Sequence, residues 1–362
     1  MIPPRKTQII RGVLPSQRWL WRAGYWRVKN YAVYFVQQIA LMRLLLIPRV
    51  NVIFRSRRLV HQLGQKNGRQ SKGVVVVAAH FGTHNLLRAF LDHHRRIGIQ
   101  NFVFLDLSTD GELCRHLKDE TGCAVWRPAN MKTEVNNTFW LNALRSRYAR
   151  RRWCLSLDTS DAFIFYRCES RKISDFTEFL EAECRDHAFG VLVEMYGDFS
   201  IAAPPTGPED LRYFDSFGFV SREKGHFRNP ILRGGPQRRI LYNLRSELSP
   251  AVNRVPLIRW RWNYSYVCGT KVAKPPHLNH PHARWHSSPT CCVLRYALLC
   301  DTQTLDTAAR WESLSNLTEP TTSGYAGTAR LLRVQQRHDY SRLFKDTQDF
   351  VDSGLLNPGQ WF

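Results

Sequence analysis

From Gly73 the run GVVVVAA is apolar without interruption and rich in β-branched residues, the texture of a strand covered on both faces. Asn85 to Arg96 changes to the helical period, with Leu86, Leu87, Phe90, Leu91 and His94 on one side. Asn101 to Asp106 (NFVFLD) reads as a second strand, and Gly111 to Glu120 as a helix through Leu113 and Leu117. Cys123 to Trp126 is a third strand, Val135 to Arg150 a helix aligning Trp140, Leu144 and Tyr148, and Trp153 to Asp158 (WCLSLD) a fourth strand. This alternation predicts an α/β fold, an open, doubly wound, mostly parallel sheet with helices on both faces. Ligands in such sheets lie at the carboxyl ends of strands, where Asp106 and Asp158 both stand.

Phe189 to Glu194 is a further strand, after which proline, glycine and aromatic residues break any long period until Arg330; this stretch reads as the acceptor side of a site. Leu331, Leu332 and Val334, then Tyr340, Leu343 and Phe344, predict a helix or two packing back. At the other end, Trp19, Trp21, Tyr25 and Trp26 are interleaved with arginines at roughly helical spacing, and Gln65 to Lys72 is a polar linker. The expected organisation is a basic, aromatic-rich helical arm over residues 1–72, a catalytic domain over 73–300 and a helical extension over 301–362.

Charge sharpens the picture of the arm. The 362 residues carry 52 Lys and Arg against 30 Asp and Glu, a formal net charge of +22. The first acidic residue is Asp92, and residues 1–72 hold 15 Lys or Arg. Such a segment suits phosphate-rich partners, either anionic lipid headgroups or nucleic acid. Tyr31 to Phe54 is the most apolar window, but Gln37, Gln38, Arg43, Pro48, Arg49 and Asn51 interrupt it, so it fits lying on a membrane better than crossing one. No secretory leader is legible, and the 9 cysteines show no CxxC spacing, so reduced thiols in a cytoplasmic setting are expected. His277, His280, His282 and His286 lie among prolines without metal-finger spacing.

The chemistry gathers after the fourth strand, where DTSD places Asp158, Ser160 and Asp161 at a strand end; close carboxylates there call for a cation between them. RGGPQRR pairs Gly234 and Gly235 with Arg233, Arg238 and Arg239, a composition suited to clamping an anion. Asp215 in YFDSFGF and Glu194 in VEMYGD are carboxylates placed to accept a proton.

Taken in order, FLDHHRRIGIQNFVFLDLSTDGE, FWLNALRSRYARRRWCLSLDTSDAFIFYRCES, VLVEMYGD, YFDSFGF, RGGPQRRILY and VPLIRW resemble the bacterial family-2 inverting glycosyltransferases, in the branch with an Asp-x-Asp-Glu turn after a WCL-type strand. The blocks span roughly half the chain, between Gly73 and Trp260. The resemblance implies a GT-A type domain that moves a sugar from a nucleotide-sugar donor to a glycan or lipid-linked acceptor, with manganese or magnesium as cofactor, in polysaccharide biosynthesis. It implies that Asp106 and Asp110 lie in the base- and ribose-binding turn, that Asp158 and Asp161 hold the metal and Asp158 the donor, and that Arg295 faces the diphosphate; on composition, Arg238 and Arg239 of RGGPQRR are read as binding the donor's diphosphate or an acidic acceptor. It implies Asp215, with Glu194 as the other candidate, as the catalytic base. Three positions depart from the pattern. Ser160 stands for the second Asp, Gly82 and Thr83 stand for an Asn-Glu pair, and Leu294 to Ala297 replaces a His-Phe-Lys run. The expected place is the cytoplasm, peripheral at the inner membrane face. A degenerate, non-catalytic homologue and a basic nucleic-acid-binding protein are the competing expectations.

Overall fold

The computed structural model describes residues 59–66, 73–82, 84–129, 137–197, 206–224, 230–279, 289–300, 306 and 337–361. The tryptophans of the N-terminal arm, Thr83, the histidines at 280, 282 and 286, and the apolar run at 331–334 lie outside them.

The elements follow in chain order as β1 (Leu59–Leu63), β2 (Val75–His80), α1 (His84–Arg96), β3 (Asn101–Asp106), α2 (Leu113–His116), β4 (Cys123–Pro128), α3 (Asn137–Tyr148), β5 (Trp153–Asp158), β6 (Asp161–Phe165), α4 (Ile173–Ala182) and β7 (His187–Glu194). Then come β8 (Tyr213–Asp215), β9 (Val220–Lys224), β10 (Pro230–Arg233), β11 (Asn253–Arg259), β12 (Ser265–Cys268), β13 (Val272–Lys274), β14 (Cys291–Arg295), β15 (Ser341–Leu343) and α5 (Thr347–Asp352).

Nine strands form one mixed, mostly parallel sheet in the order β1-β4-β3-β2-β5-β11-β7-β14-β6. β2 pairs in parallel with β3 and β5, β3 with β4, and β7 with β14, whereas β1, β11 and β6 run against their neighbours. In chain order α1 links β2 to β3 and α2 links β3 to β4 in one direction along the sheet, whereas α3 links β4 to β5 on the opposite side of β2. The strand order therefore switches between β2 and β5, which opens a crevice beyond their carboxyl ends.

The core is where the periodicity placed it. All six residues of β2 are buried, and α1 buries Leu86, Leu87, Phe90, Leu91 and His94, the face its spacing predicts. α3 lies against β2 and β3 and buries Trp140, Leu144 and Tyr148. Each such aliphatic or aromatic side chain contributes roughly 1.5–3 kcal/mol on leaving water.

Several boundaries differ from expectation. Leu59–Leu63, expected within the helical arm, is an edge strand on β4, and its exposed Val60 alternates with buried Leu59 as a one-sided edge requires. The helix expected over Gly111–Glu120 is a single turn, α2, since Gly111 at φ +69° opens the segment in a left-handed conformation. Ser341–Leu343, expected to be helical, is β15 and pairs with β8, so the described part of the C-terminal extension is only partly helical. That part is woven into the domain: Trp361 packs on Phe165 and Phe176, and Phe350 on Phe214. Among the described residues no helix is long and apolar enough to cross a membrane.

Candidate functional site

At the switch point, β2 ends in His80 and β5 in Asp158. The turn after β5 is stitched to β2: the Thr159 backbone N–H donates to the Ala79 carbonyl at 3.0 Å, and the Thr159 hydroxyl lies 3.1 Å from His80 Nδ1. His80 is wholly buried, and its Nε2 has no hydrogen-bond partner among the described residues. Burial, with the neighbouring His84 acting in the same direction, pushes its pKa down to about 3, so the ring is neutral. The rings of His80, His84 and His116 follow one another at centroid distances of 4.9 and 4.3 Å.

The loop after β3 carries both carboxylates expected at the base and ribose, and the structure separates their roles. Asp106 is 1% exposed and fully engaged. Its Oδ1 accepts from the Ser108 backbone at 3.0 Å and hydroxyl at 2.6 Å, and its Oδ2 from Arg127 at 2.9 Å. Arg127 also reaches the Ser108 carbonyl, so this buried carboxylate builds the loop and is not open to a ribose. Asp110 is the accessible one, 43% exposed at its side chain, with His84 Nε2 at 3.0 Å. Burial pushes its pKa up, but hydrogen bonds from the Glu112 backbone, His84 and Ser108 outweigh this and hold it well below the usual carboxylate range.

Beyond the switch point, pairing registers build a row of charges. Arg295, the last residue of β14, is the Cα partner of Glu194 in β7 on one side and of Asp161 in β6 on the other. Directly opposed residues share a sheet face, so the guanidinium sits between two carboxylates. Arg295 Nε donates to Asp161 Oδ1 at 2.9 Å, and Nη2 to Asp161 Oδ2 at 3.1 Å and to Asp158 Oδ2 at 3.0 Å. The Asp158 backbone N–H also donates to Asp161 Oδ2, at 3.2 Å. On the far side of this turn, Asp161 and Ser160 line a cavity of about 410 Å³ together with His93, Arg96, Glu209 and Tyr296.

Glu194 accepts from the Gln237 side-chain amide and, at 3.4 Å, from the Gln237 backbone N–H. Burial pushes its pKa up to about 7 against the pull of Arg295 and Gln237, with Asp215 adding to the rise. A carboxyl titrating near neutrality can both accept and return a proton. Asp215, the other candidate base, is 2% exposed and held by Tyr196 OH at 2.5 Å and by Arg239 through two bonds of 3.0 Å. That clamp leaves it poorly placed to take a proton from a substrate.

The RGGPQRR segment is likewise turned inward. A Cβ on Gly234 would enter the Phe219 ring, and Gly235 adopts φ +77° beside the Glu194 carboxylate. Arg233 bonds the Ser249 carbonyl, Arg238 the Gly218 carbonyl at 3.0 Å, and Arg239 is the partner of Asp215. The glycines thus serve close packing and a turn around Glu194, and the anion clamp expected of Arg238 and Arg239 is engaged within the protein. His277, from the histidine run, lies 3.6 Å from Asp186 before the amino end of β7, the opposite end of that strand from Glu194.

Asp158 and Asp161 do not form a ready divalent-cation site. A magnesium-sized cation is held in an octahedron of oxygens by one or two carboxylates together with waters and substrate phosphates, and it needs lone pairs that are free to face it. Here both carboxylates already accept from Arg295, the two residues between them in the turn are the neutral Thr159 and Ser160, and among the described residues no three His, Cys, Asp or Glu side chains are grouped to hold a metal ion. Sequence reading singled out Asp158, Asp161, Glu194 and Arg295, and the fold brings all four together. It did not single out Arg127, Tyr196 or Gln237, which position the carboxylates. Gln237, inside RGGPQRR, and Tyr196, inside VEMYGD, lay in singled-out stretches; Arg127 carried no local signal. No protein-family model matches the chain, and no curated protein matches it.

Proposed function

We propose that this chain is a glycosyltransferase of GT-A type, moving a sugar from a nucleotide-sugar donor to a glycan or lipid-linked acceptor with inversion. The observation that carries the reading is the cluster of Glu194, Arg295, Asp158 and Asp161 at strand ends beside the sheet's switch point, where open α/β sheets bind nucleotides. Asp110, accessible and hydrogen-bonded to His84, is the carboxylate suited to a ribose hydroxyl.

In this reading Glu194 is the base. Its carboxylate takes the proton of the acceptor hydroxyl, the hydroxyl oxygen forms the new bond to the anomeric carbon, and the bond to the diphosphate breaks with its electron pair leaving on the phosphate oxygen. Arg295 lends positive charge to that developing anion. Asp215 positions the neighbouring segment through Tyr196 and Arg239. The basic N-terminal segment would hold the protein at an anionic membrane surface, on the cytoplasmic side, close to a lipid-linked acceptor.

The test is thermal stability and turnover with a panel of nucleotide sugars. One donor class should raise the melting temperature. Glu194→Gln should then lower kcat by about 10²–10⁴-fold, and the wild-type rate should rise through pH 7 as the carboxyl ionises. A panel that shifts nothing, alongside salt-dependent binding to nucleic acid, would sink the reading. The clamped Asp215 favours a second one, donor binding without transfer, and donor binding with no turnover across acceptors would select it.

A further inference from the structure

We infer that the Arg295 guanidinium is a built-in cation occupying the place between Asp158 and Asp161 that a divalent ion would need, so that the chain binds a nucleoside diphosphate without manganese or magnesium and gains a cation site only when Arg295 is removed. The ligand class rests on the proposed transferase reading; the cation part stands on the geometry alone.

Three features fix the guanidinium. Arg295 is strand-borne: β14 pairs with β6 and β7 on both sides, and the Arg295 carbonyl accepts from the Met195 backbone at 3.0 Å. Its backbone is therefore fixed, and only side-chain rotation against the bonds below could withdraw the guanidinium. Its three bonds engage both oxygens of Asp161 and one of Asp158. A metal ion entering between the carboxylates would compete for those lone pairs and leave a 6%-exposed guanidinium beside a second cation. The turn cannot open to make room cheaply, because Thr159 N–H is tied to Ala79 and the Ser160 carbonyl accepts from the Tyr296 backbone at 2.9 Å.

The charge count agrees. Two aspartates and one arginine leave one net negative charge, with Ser160 adding none. An acidic triplet around a doubly charged ion would leave the same. A neutral Ser160 and a resident guanidinium therefore balance each other in charge, and changing either alone would unbalance the site. Adding a divalent ion to the present set would make the turn cationic and place like charges within a few ångströms of each other.

The experiment uses the full chain. Mn²⁺ alone is titrated into protein and followed by the loss of its free-ion paramagnetic resonance signal. Uridine, guanosine, cytidine and adenosine diphosphates are then titrated by calorimetry in EDTA and in MnCl₂. Wild type should bind no stoichiometric Mn²⁺, and its nucleotide affinity should change by less than about threefold between the two buffers. Arg295→Ala should gain a Mn²⁺ site that Asp161→Asn in the same chain removes, and its metal-free nucleotide affinity should fall by about tenfold or more. Mn²⁺ bound stoichiometrically by wild type and lost in Asp158→Asn would overturn the inference, as would a folded Arg295→Ala with no Mn²⁺ site. Nucleotide binding by wild type only with Mn²⁺ would overturn it while upholding the transferase reading. Absence of nucleotide binding in both buffers would overturn that reading, and the Mn²⁺ titration would still decide the cation part. If Arg295→Ala does not fold, Arg295→Met replaces it: an unbranched neutral side chain keeps much of the packing while removing the charge, and Mn²⁺ binding should appear there also.

Discussion

Glu194→Gln isolates the electrostatics of the site without the assumption of any activity. In the folded chain burial lifts the Glu194 pKa from 4.5 to about 7. At about 1.4 kcal/mol per pH unit, holding this carboxylate ionised above pH 7 costs the fold on the order of 3 kcal/mol relative to the unfolded chain. Between pH 4.5 and 7 the folded state keeps a proton that the unfolded state has released, so stability falls as pH rises through this window. Glutamine removes the titration. Its amide oxygen can still accept from the Gln237 side chain, but its NH₂ would face the Gln237 backbone N–H, a mismatch worth about 1 kcal/mol. The variant should therefore be about 2 kcal/mol more stable than wild type at pH 8 and about 1 kcal/mol less stable at pH 4. Urea denaturation of both proteins from pH 4 to 8, with unchanged m-values, measures the difference. A difference that does not vary with pH, or one that grows toward acid, would refute the argument that burial sets this group's titration.

Other perturbations follow from the same geometry. Asp106→Ala strands Arg127 and two Ser108 donors and should cost about 2–4 kcal/mol in urea denaturation, softened by the partial exposure of Arg127. Gly234→Ala drives a methyl group into the Phe219 ring and should cost about 1–3 kcal/mol, while Phe219→Leu in the same chain should recover part of it. His80 acts in the opposite pH direction from Glu194. Its folded pKa of about 3 lies below the unfolded 6.5, so stability is full above 6.5 and is lost as pH falls toward 3, by up to about 5 kcal/mol. His80→Phe should flatten that acid limb in a Tm-against-pH series, and an unchanged limb would refute the assignment. Asp215→Asn removes the negative charge opposite Arg239 and one of its two acceptor oxygens, and should lower stability by about 2–3 kcal/mol, with any loss of turnover accompanied by a loss of Tm.

The elements legible in the chain are those whose own period declares a buried face. β2 reads as a double-covered strand and is one; α1 presents the five side chains its spacing selects. Short edges are another matter. β1 and β15 are five and three residues long, too brief for a period, and they exist because β4 and β8 offer unpaired backbone groups. β11 is similar: nothing in VPLIRW says that it runs antiparallel between β5 and β7.

The same division holds in the site. Strand-end position was enough to single out Asp106, Asp158 and Glu194, because an apolar run followed by a carboxylate marks where a covered strand meets solvent. Which carboxylate is available and which is spent on the fold was decided elsewhere. Asp106 is taken by Arg127, and Asp215 by Arg239 and Tyr196, so the carboxylate expected as the base is held in an ion pair instead. Arg295 reaches Asp161 across 134 residues of chain, through a register that only the assembled sheet defines. Periodicity is a local property, set by which face of each element must leave water, and it travels with the sequence. Charge pairing depends on which strands end up side by side, and that order is chosen by the packing of the whole domain.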